Sequence, residues 1–125
     1  MAYSSFEDLE VWRRACRLAV EIYRILEDTR DYGLKDQMTR SAVSIASNIA
    51  EGAERGTQAE FIRFVRIAKG SAAELRTQLY IAKEVGAISK SGKVSELIEE
   101  SKEISSMLQG LAVSLKNKID RIQQL

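Results

Sequence analysis

Apolar residues recur at intervals of three and four along four segments of the chain, which is the pattern of amphipathic helices. The first predicted helix runs from about residue 6 to 28, and its apolar positions cover roughly 200° of the circumference, about twice the width of a one-sided surface helix. It must therefore contact more than one neighbour. Three more helices are predicted at about 34–54, 57–85 and 93 to the C-terminus. The pattern predicts an all-α fold, and a length of 125 residues predicts a single domain over 1–125.

Short motifs mark several helix ends. Ser5 with Asp8 has the spacing of a capping box, with Asp in the position usually held by Glu or Gln. Thr57 with Glu60 forms a complete capping box and predicts the start of the third helix. Gly56, just before it, is suited to the residue that follows a helix end.

The third predicted helix contains Gly70 at its centre. The segment 70–74 also has the pattern of one helix ending and another starting, which would give two short helices resembling a helix-turn-helix. We favour one continuous helix, because the apolar period passes through Gly70 without a shift of phase. A glycine inside a helix costs about 1 kcal/mol relative to alanine, so its presence suggests a close backbone approach. Three isoleucines lie off the core row and would be exposed in a monomer: Ile62, Ile67 and Ile81.

The second predicted helix has two faces that could each pack against a neighbour when it is drawn at about 100° per residue. One face is apolar and carries Met38, Ala42, Ile45, Ala46, Ile49 and Ala53. The opposite face carries short or sparsely charged side chains: Arg40, Ser44, Ser47 and Glu51, with Asn48 at its edge. Small residues permit close packing, and short hydroxyls lose little rotamer entropy when fixed. This favours a second packed surface against another subunit; the alternative is a solvated polar face that happens to be short.

The amino-acid composition favours long helices. It also favours a protein of the reducing cytoplasm. The chain has no proline, where average usage would give roughly six in this length. No apolar run approaches the roughly 18 residues of a membrane span, and the first ten residues lack the regions of a signal peptide. The single cysteine, Cys16, lies in an apolar helical row and has no partner for an internal disulfide. We expect a cytoplasmic protein without a membrane partner.

Positive charge is concentrated in one part of the chain although the net charge is only +1. Residues 55–83 contain six basic side chains and two acidic ones. The basic residues are Arg55, Arg63, Arg66, Lys69, Arg76 and Lys83. Such a cluster is a candidate contact surface for the phosphates of RNA or DNA. It is also typical of a solvated helix face, and both interpretations remain open.

The sequence contains little that would support catalysis. It has no histidine, the commonest general base and metal ligand, and no phosphate-binding loop. Cys16 lacks a histidine partner, which favours a structural role. Glu51 and Glu74 could meet between the second and third helices, but we expect them to be neutralised by Arg40 or Arg63. We therefore expect no enzymatic activity, no cofactor, no metal and no small-molecule substrate.

A set of motifs in order along the chain resembles a known family. The first part comprises 6–9, 11–12, 32–34, Gln37 and 40–45, and the second comprises 48–52, 60–61, Phe64, 67–68, 70–71 and 74–75. Over about residues 6–88 the chain resembles the four-helix-bundle family of 23S ribosomal RNA intervening-sequence proteins. It departs from that family at 28–31, where Phe-Pro is common before the Tyr-Gly-Leu motif.

The resemblance implies an antiparallel up-down four-helix bundle that assembles as a homo-oligomer, with pentameric rings known in the family. It implies an RNA-associated role and no established enzymatic activity. The alternative is a protein–protein adaptor, such as the bundle rings that accompany a reverse transcriptase in retroelements.

Ten positions match the family motif, and most are predicted on the non-core faces of the second and third helices. They are Arg40, Ser44, Asn48, Glu51, Gly52, Glu60, Arg63, Gly70, Ser71 and Glu74. We expect them to form a polar network between helices or between subunits. In this network, Arg40 and Arg63 would pair with Glu51, Glu60 or Glu74.

Overall fold

Four α-helices make up most of residues 5–124, the part of the chain that this computed structural model describes. A 3₁₀ helix (Phe6–Asp8) precedes α1 (Glu10–Ile25), α2 (Tyr32–Glu54), α3 (Gln58–Glu84) and α4 (Ser91–Gln123). The described residues contain no β-strand. The all-α prediction is confirmed, and the four helices correspond to the four segments predicted from the apolar pattern.

The helices pack as a four-helix bundle. α2 packs against α3, α3 against α4, and α1 against both α2 and α4. Short connections join consecutive helices, so neighbours in the chain run antiparallel. Large side chains from all four helices are fully buried in the centre, among them Leu18, Ile22, Ile45, Ile49, Leu75, Leu79, Ile104 and Leu108.

The start of α3 follows the predicted chemistry. The Thr57 hydroxyl accepts a hydrogen bond from the backbone N–H of Glu60 at 3.2 Å. Gly56 has a φ of 95°, the left-handed conformation that glycine adopts without steric cost. Capping thus ends α2 and starts α3 within three residues, which makes the α2–α3 hairpin tight.

The first helix differs from its predicted bounds. The Ser5 hydroxyl accepts from the N–H of Glu7 and caps the 3₁₀ helix, not α1. Leu9 is extended and separates the two helical segments. At the other end α1 stops at Ile25, because residues 26–28 already form the turn toward α2.

Ion pairs connect α1 to α4. Arg14 donates to both carboxylate oxygens of Glu100, from Nε at 2.9 Å and from Nη2 at 2.6 Å. Further along, Lys93 lies 3.3 Å from Glu21. The Lys93 ammonium lowers the pKa of Glu21, with a smaller contribution from Arg24. α1 is therefore held to α4 partly by charge, in addition to the shared core.

Gly52 permits a close approach between α2 and α3. A Cβ at this position would lie 2.5 Å from the Cβ of Phe64 and 3.3 Å from the ring of Phe61. Gly52 is buried, unlike the other nine motif positions, so it belongs to the packed side of α2. The two backbones approach so closely here that no side chain fits between them.

α3 is continuous through Gly70, as predicted. The close backbone approach expected there is absent among residues 5–124, because a Cβ at Gly70 would meet none of their atoms within 4 Å. Ile67 and Ile81 are 41% and 50% exposed, as predicted, but Ile62 is only 5% exposed. Ile62 is buried because α3 packs on both α2 and α4, so its buried arc is wider than one apolar row.

These two glycines give a matched pair of substitutions. Gly52→Ala should destabilise the fold by about 1–3 kcal/mol, because the new methyl group overlaps Phe64. Gly70→Ala should stabilise the fold of the single subunit by about 0.5–1 kcal/mol, because alanine is the better helix former and no other described residue of the subunit lies within 4 Å of the new methyl group. Urea unfolding at one fixed protein concentration measures both. A Gly52→Ala variant as stable as the parent would contradict the close packing.

Candidate functional site

Hydroxyl and amide groups form a polar seam between α2 and α3. The Ser44 and Ser71 hydroxyl oxygens are 2.9 Å apart. Asn48 Nδ2 donates to the Ser44 hydroxyl at 2.9 Å, and Ser41 donates to Glu74 Oε1 at 2.9 Å. Four of the ten motif positions therefore lie in one inter-helix seam: Ser44, Asn48, Ser71 and Glu74. Ser41 belongs to it and was not predicted, although it precedes Asn48 by two helical turns and so shares its row.

A second cluster lies at the hairpin between α2 and α3. Glu60 is 3.6 Å from Arg55 Nε and 3.7 Å from Arg63 Nη1. Both guanidinium groups also lie over the ring of Phe64, 4.9 and 5.0 Å from its centre. Two of the six candidate nucleic-acid contacts are thus already engaged by a carboxylate and an aromatic face.

The remaining motif residues do not join these clusters. Arg40 is 79% exposed at its side chain and lies 3.2 Å from Asp36, one turn earlier in α2. Its predicted pairing with Glu51, Glu60 or Glu74 is absent within the chain. The reason is local: Asp36 lies on the same outer face, whereas a Glu74 oxygen accepts from buried Ser41. Glu51 and Gly70 are exposed on the outer faces of their helices.

An apolar groove of about 530 Å³ runs between α1 and α2. Its walls are Trp12, Cys16, Val20 and Tyr23 on one side and Val43, Ala46 and Ala50 on the other. Val20, Tyr23 and Val43 are about half exposed despite their apolar character. Burial raises the pKa of the Cys16 thiol, which leaves little thiolate at neutral pH. The groove is therefore suited to packing against another apolar surface and not to a reaction at Cys16.

A basic groove of about 510 Å³ runs between α3 and α4. Its lining residues are all polar or charged, with three cations and no carboxylate: Lys69, Arg76, Lys102, Ser105, Ser106 and Gln109. Lys69 Nζ donates to Gln109 Oε1 at 2.8 Å. Farther along the same boundary, Lys83 donates to Ser95 of α4 at 2.8 Å.

Four of the six predicted basic residues are thus divided between two places. Arg55 and Arg63 lie at the hairpin, while Lys69 and Arg76 line the α3–α4 groove. Arg66 is exposed on α3, and neither it nor Arg76 forms an ion pair within residues 5–124. Sequence reasoning missed the α4 residues of the groove because periodicity within one helix does not show which distant helix lies beside it.

Neither a metal site nor a membrane span is present in the described part of the chain. No group of three histidine, cysteine or acidic side chains is arranged there to hold a metal ion. None of the helices described combines the length and the apolar content needed to cross a bilayer.

Two comparisons with known proteins agree with this architecture. A solved structure from Bacteroides thetaiotaomicron VPI-5482, described as a protein with unknown function from the S23 ribosomal protein family, superposes with a TM-score of 0.75. The two sequences are 25% identical, and the match covers 82% of this chain and 97% of that chain. The family model described as 23S rRNA-intervening sequence protein matches residues 7–110. Because this match spans most of the bundle, the chain belongs to the 23S rRNA-intervening sequence protein family.

Proposed function

We propose that this protein is a non-enzymatic helical bundle that assembles into a homo-oligomeric ring, a pentamer by analogy with its family, and binds RNA through its basic surface. The observation that carries the proposal is the groove between α3 and α4, where three cations converge without a lining carboxylate. In a ring this groove would be repeated in every subunit. Repetition would multiply the attraction for a polyanion far beyond what a net charge of +1 suggests.

The absence of histidine from the sequence supports a non-enzymatic role. The chain's single thiol has a raised pKa and faces an apolar groove, so it is a poor nucleophile. The carboxylate nearest the motif seam, Glu74, accepts a hydrogen bond from Ser41. These side chains support packing and solubility, and none is matched with an acid–base partner.

Two different apolar surfaces support self-association. The α1–α2 groove exposes Val20, Tyr23 and Val43, and the outer face of α3 exposes Ile67 and Ile81. A closed ring uses a heterologous contact, in which one patch of each subunit meets a different patch of the next. The α3 ridge of one subunit seated in the α1–α2 groove of its neighbour would provide such a contact. Gly70 lies between the two isoleucines and would permit a close approach.

Val43→Glu should dissociate the oligomer, because it places a charge in the α1–α2 groove. Val113→Glu on α4 is the matched control, since Val113 is similarly exposed but does not line that groove. Sedimentation velocity gives the mass, and circular dichroism checks helicity. A parent chain that sediments as a 14.0 kDa particle even when concentrated would remove the proposal of self-association.

Arg40→Ala should lower the stability of the oligomer and leave the subunit fold nearly unchanged. The Arg40–Asp36 pair is exposed, and such pairs contribute only about 0–1 kcal/mol within a chain. Lys116→Ala, which removes an exposed pair of the same spacing with Asp120, is the control. Light scattering at low micromolar concentration compares the masses. Equal masses for both variants and the parent would place Arg40 outside the interface.

RNA binding should be strong at low salt and fall steeply as salt increases, because phosphate neutralisation releases counterions. A gel shift with a structured RNA at about 50 and 200 mM salt tests this expectation. Native mass measurement with and without nuclease then gives the stoichiometry and any RNA that co-purifies. A missing shift at the lower salt concentration would reject nucleic-acid binding.

A further inference from the structure

The basic groove combines two kinds of ligand-binding group. Lys69 and Arg76 from α3 face Lys102 from α4, so the three positive charges come from two helices. Ser105, Ser106 and Gln109 add short hydrogen-bonding groups between them. Arg76 is half-buried, and within residues 5–124 it has no hydrogen-bond or ion-pair partner. A guanidinium with no carboxylate partner among the described residues is suited to an external anion.

The rim of the groove supplies one competing acid and one aromatic ring. Glu99 lies 3.1 Å from Lys102 in an exposed pair, which contributes little to stability and is readily exchanged for a phosphate. Glu99 raises the pKa of Lys102, and the Tyr80 hydroxyl adds to this effect. Tyr80, which is about half exposed, lies one turn beyond Arg76 in α3 and therefore on the same side of that helix as the groove.

We propose that this groove binds single-stranded RNA, with the sugar–phosphate backbone on Lys69, Arg76 and Lys102 and an unpaired base stacked on Tyr80. This inference rests on the proposed function and identifies the form of RNA and the residues that contact it. The occupant follows from the charge of the groove together with the exposed ring at its edge. Any of the bases can stack on a tyrosine ring, so the groove should bind RNA strands of many sequences.

Two features favour a single RNA strand over duplex nucleic acid or DNA. Bases inside a duplex are stacked on one another and cannot reach Tyr80, whereas an unpaired base can. The hydroxyls of Ser105 and Ser106 and the amide of Gln109 can each donate to or accept from a ribose 2′-hydroxyl. DNA lacks that hydroxyl and would lose those hydrogen bonds.

The test measures anisotropy of a labelled single-stranded RNA of about 12 nucleotides over a salt titration. The double variant Lys69→Gln with Arg76→Gln should bind at least tenfold more weakly. Its salt dependence should also be shallower by about 1.4 in log–log slope, because each lost phosphate contact on a single strand removes about 0.7. The matched control is Arg55→Gln with Arg63→Gln, which removes the same charge at the hairpin and should leave the slope unchanged.

Tyr80 is tested by a different readout. Tyr80→Ala should weaken binding about tenfold or more without changing the salt slope, because stacking releases no counterions. Tyr80→Phe should restore affinity, since it keeps the ring. The same strand as DNA, and the RNA annealed into a duplex, should bind more weakly than the single-stranded RNA.

Each result has a distinct meaning. If the parent protein binds none of these nucleic acids at low salt, the proposed function fails. If the parent binds RNA but the hairpin control loses as much affinity and slope as the groove variant, the inference about the groove fails. Equal binding of duplex or DNA, or an unaltered Tyr80→Ala variant, overturns the assignment to single-stranded RNA. Circular dichroism and sedimentation confirm that each variant keeps its fold and assembly, and Lys69→Gln alone replaces the double variant if Arg76→Gln perturbs either.

Discussion

The close contact between α2 and α3 is the constraint on which the rest of the bundle depends. Where Gly52 meets Phe64, the backbones leave no room for even one methyl group. Farther along the pair, Ser44 and Ser71 approach through a direct hydrogen bond between their hydroxyls. Short side chains therefore set the separation of the two helices along this seam. Because α3 also packs on α4, its orientation determines where the basic groove lies.

The other interfaces between neighbouring helices are held by different interactions. Each interface therefore exposes a different kind of surface. α1 and α4 are joined by ion pairs such as Arg14–Glu100, which hold long side chains across the boundary. The α1–α2 boundary is apolar and leaves an open groove, so it has surface to bury against another molecule. The α3–α4 boundary is covered by Lys69 and Lys83, each hydrogen-bonded to a polar partner on α4. One small bundle thus presents an apolar and a cationic surface at separate helix boundaries.

Properties encoded within one helix were predictable from the sequence, whereas contacts between helices were only partly so. The four helices, the Thr57 cap and the continuity of α3 depend on local spacing, which periodicity shows directly. The role of Gly52 could not be derived from its own helix, because it depends on the depth at which Phe64 packs. Arg40 was matched with distant glutamates, although Asp36 one turn away is closer. Lys102 was missed because its neighbour across the groove belongs to another helix.

A net charge of +1 hides this separation of charge. Carboxylates such as Glu21 and Glu100 lie at the α1–α4 boundary, where arginine and lysine neutralise them. The groove formed by α3 and the middle of α4 has none in its lining, and Glu99 at its rim offsets only one of the three lining cations. The electrostatic potential near a phosphate depends on the charges within about 10 Å at ordinary ionic strength, not on the sum over the chain. A nearly neutral protein can therefore present a local surface that attracts RNA, and symmetric assembly would repeat that surface without adding any positively charged residue to the sequence.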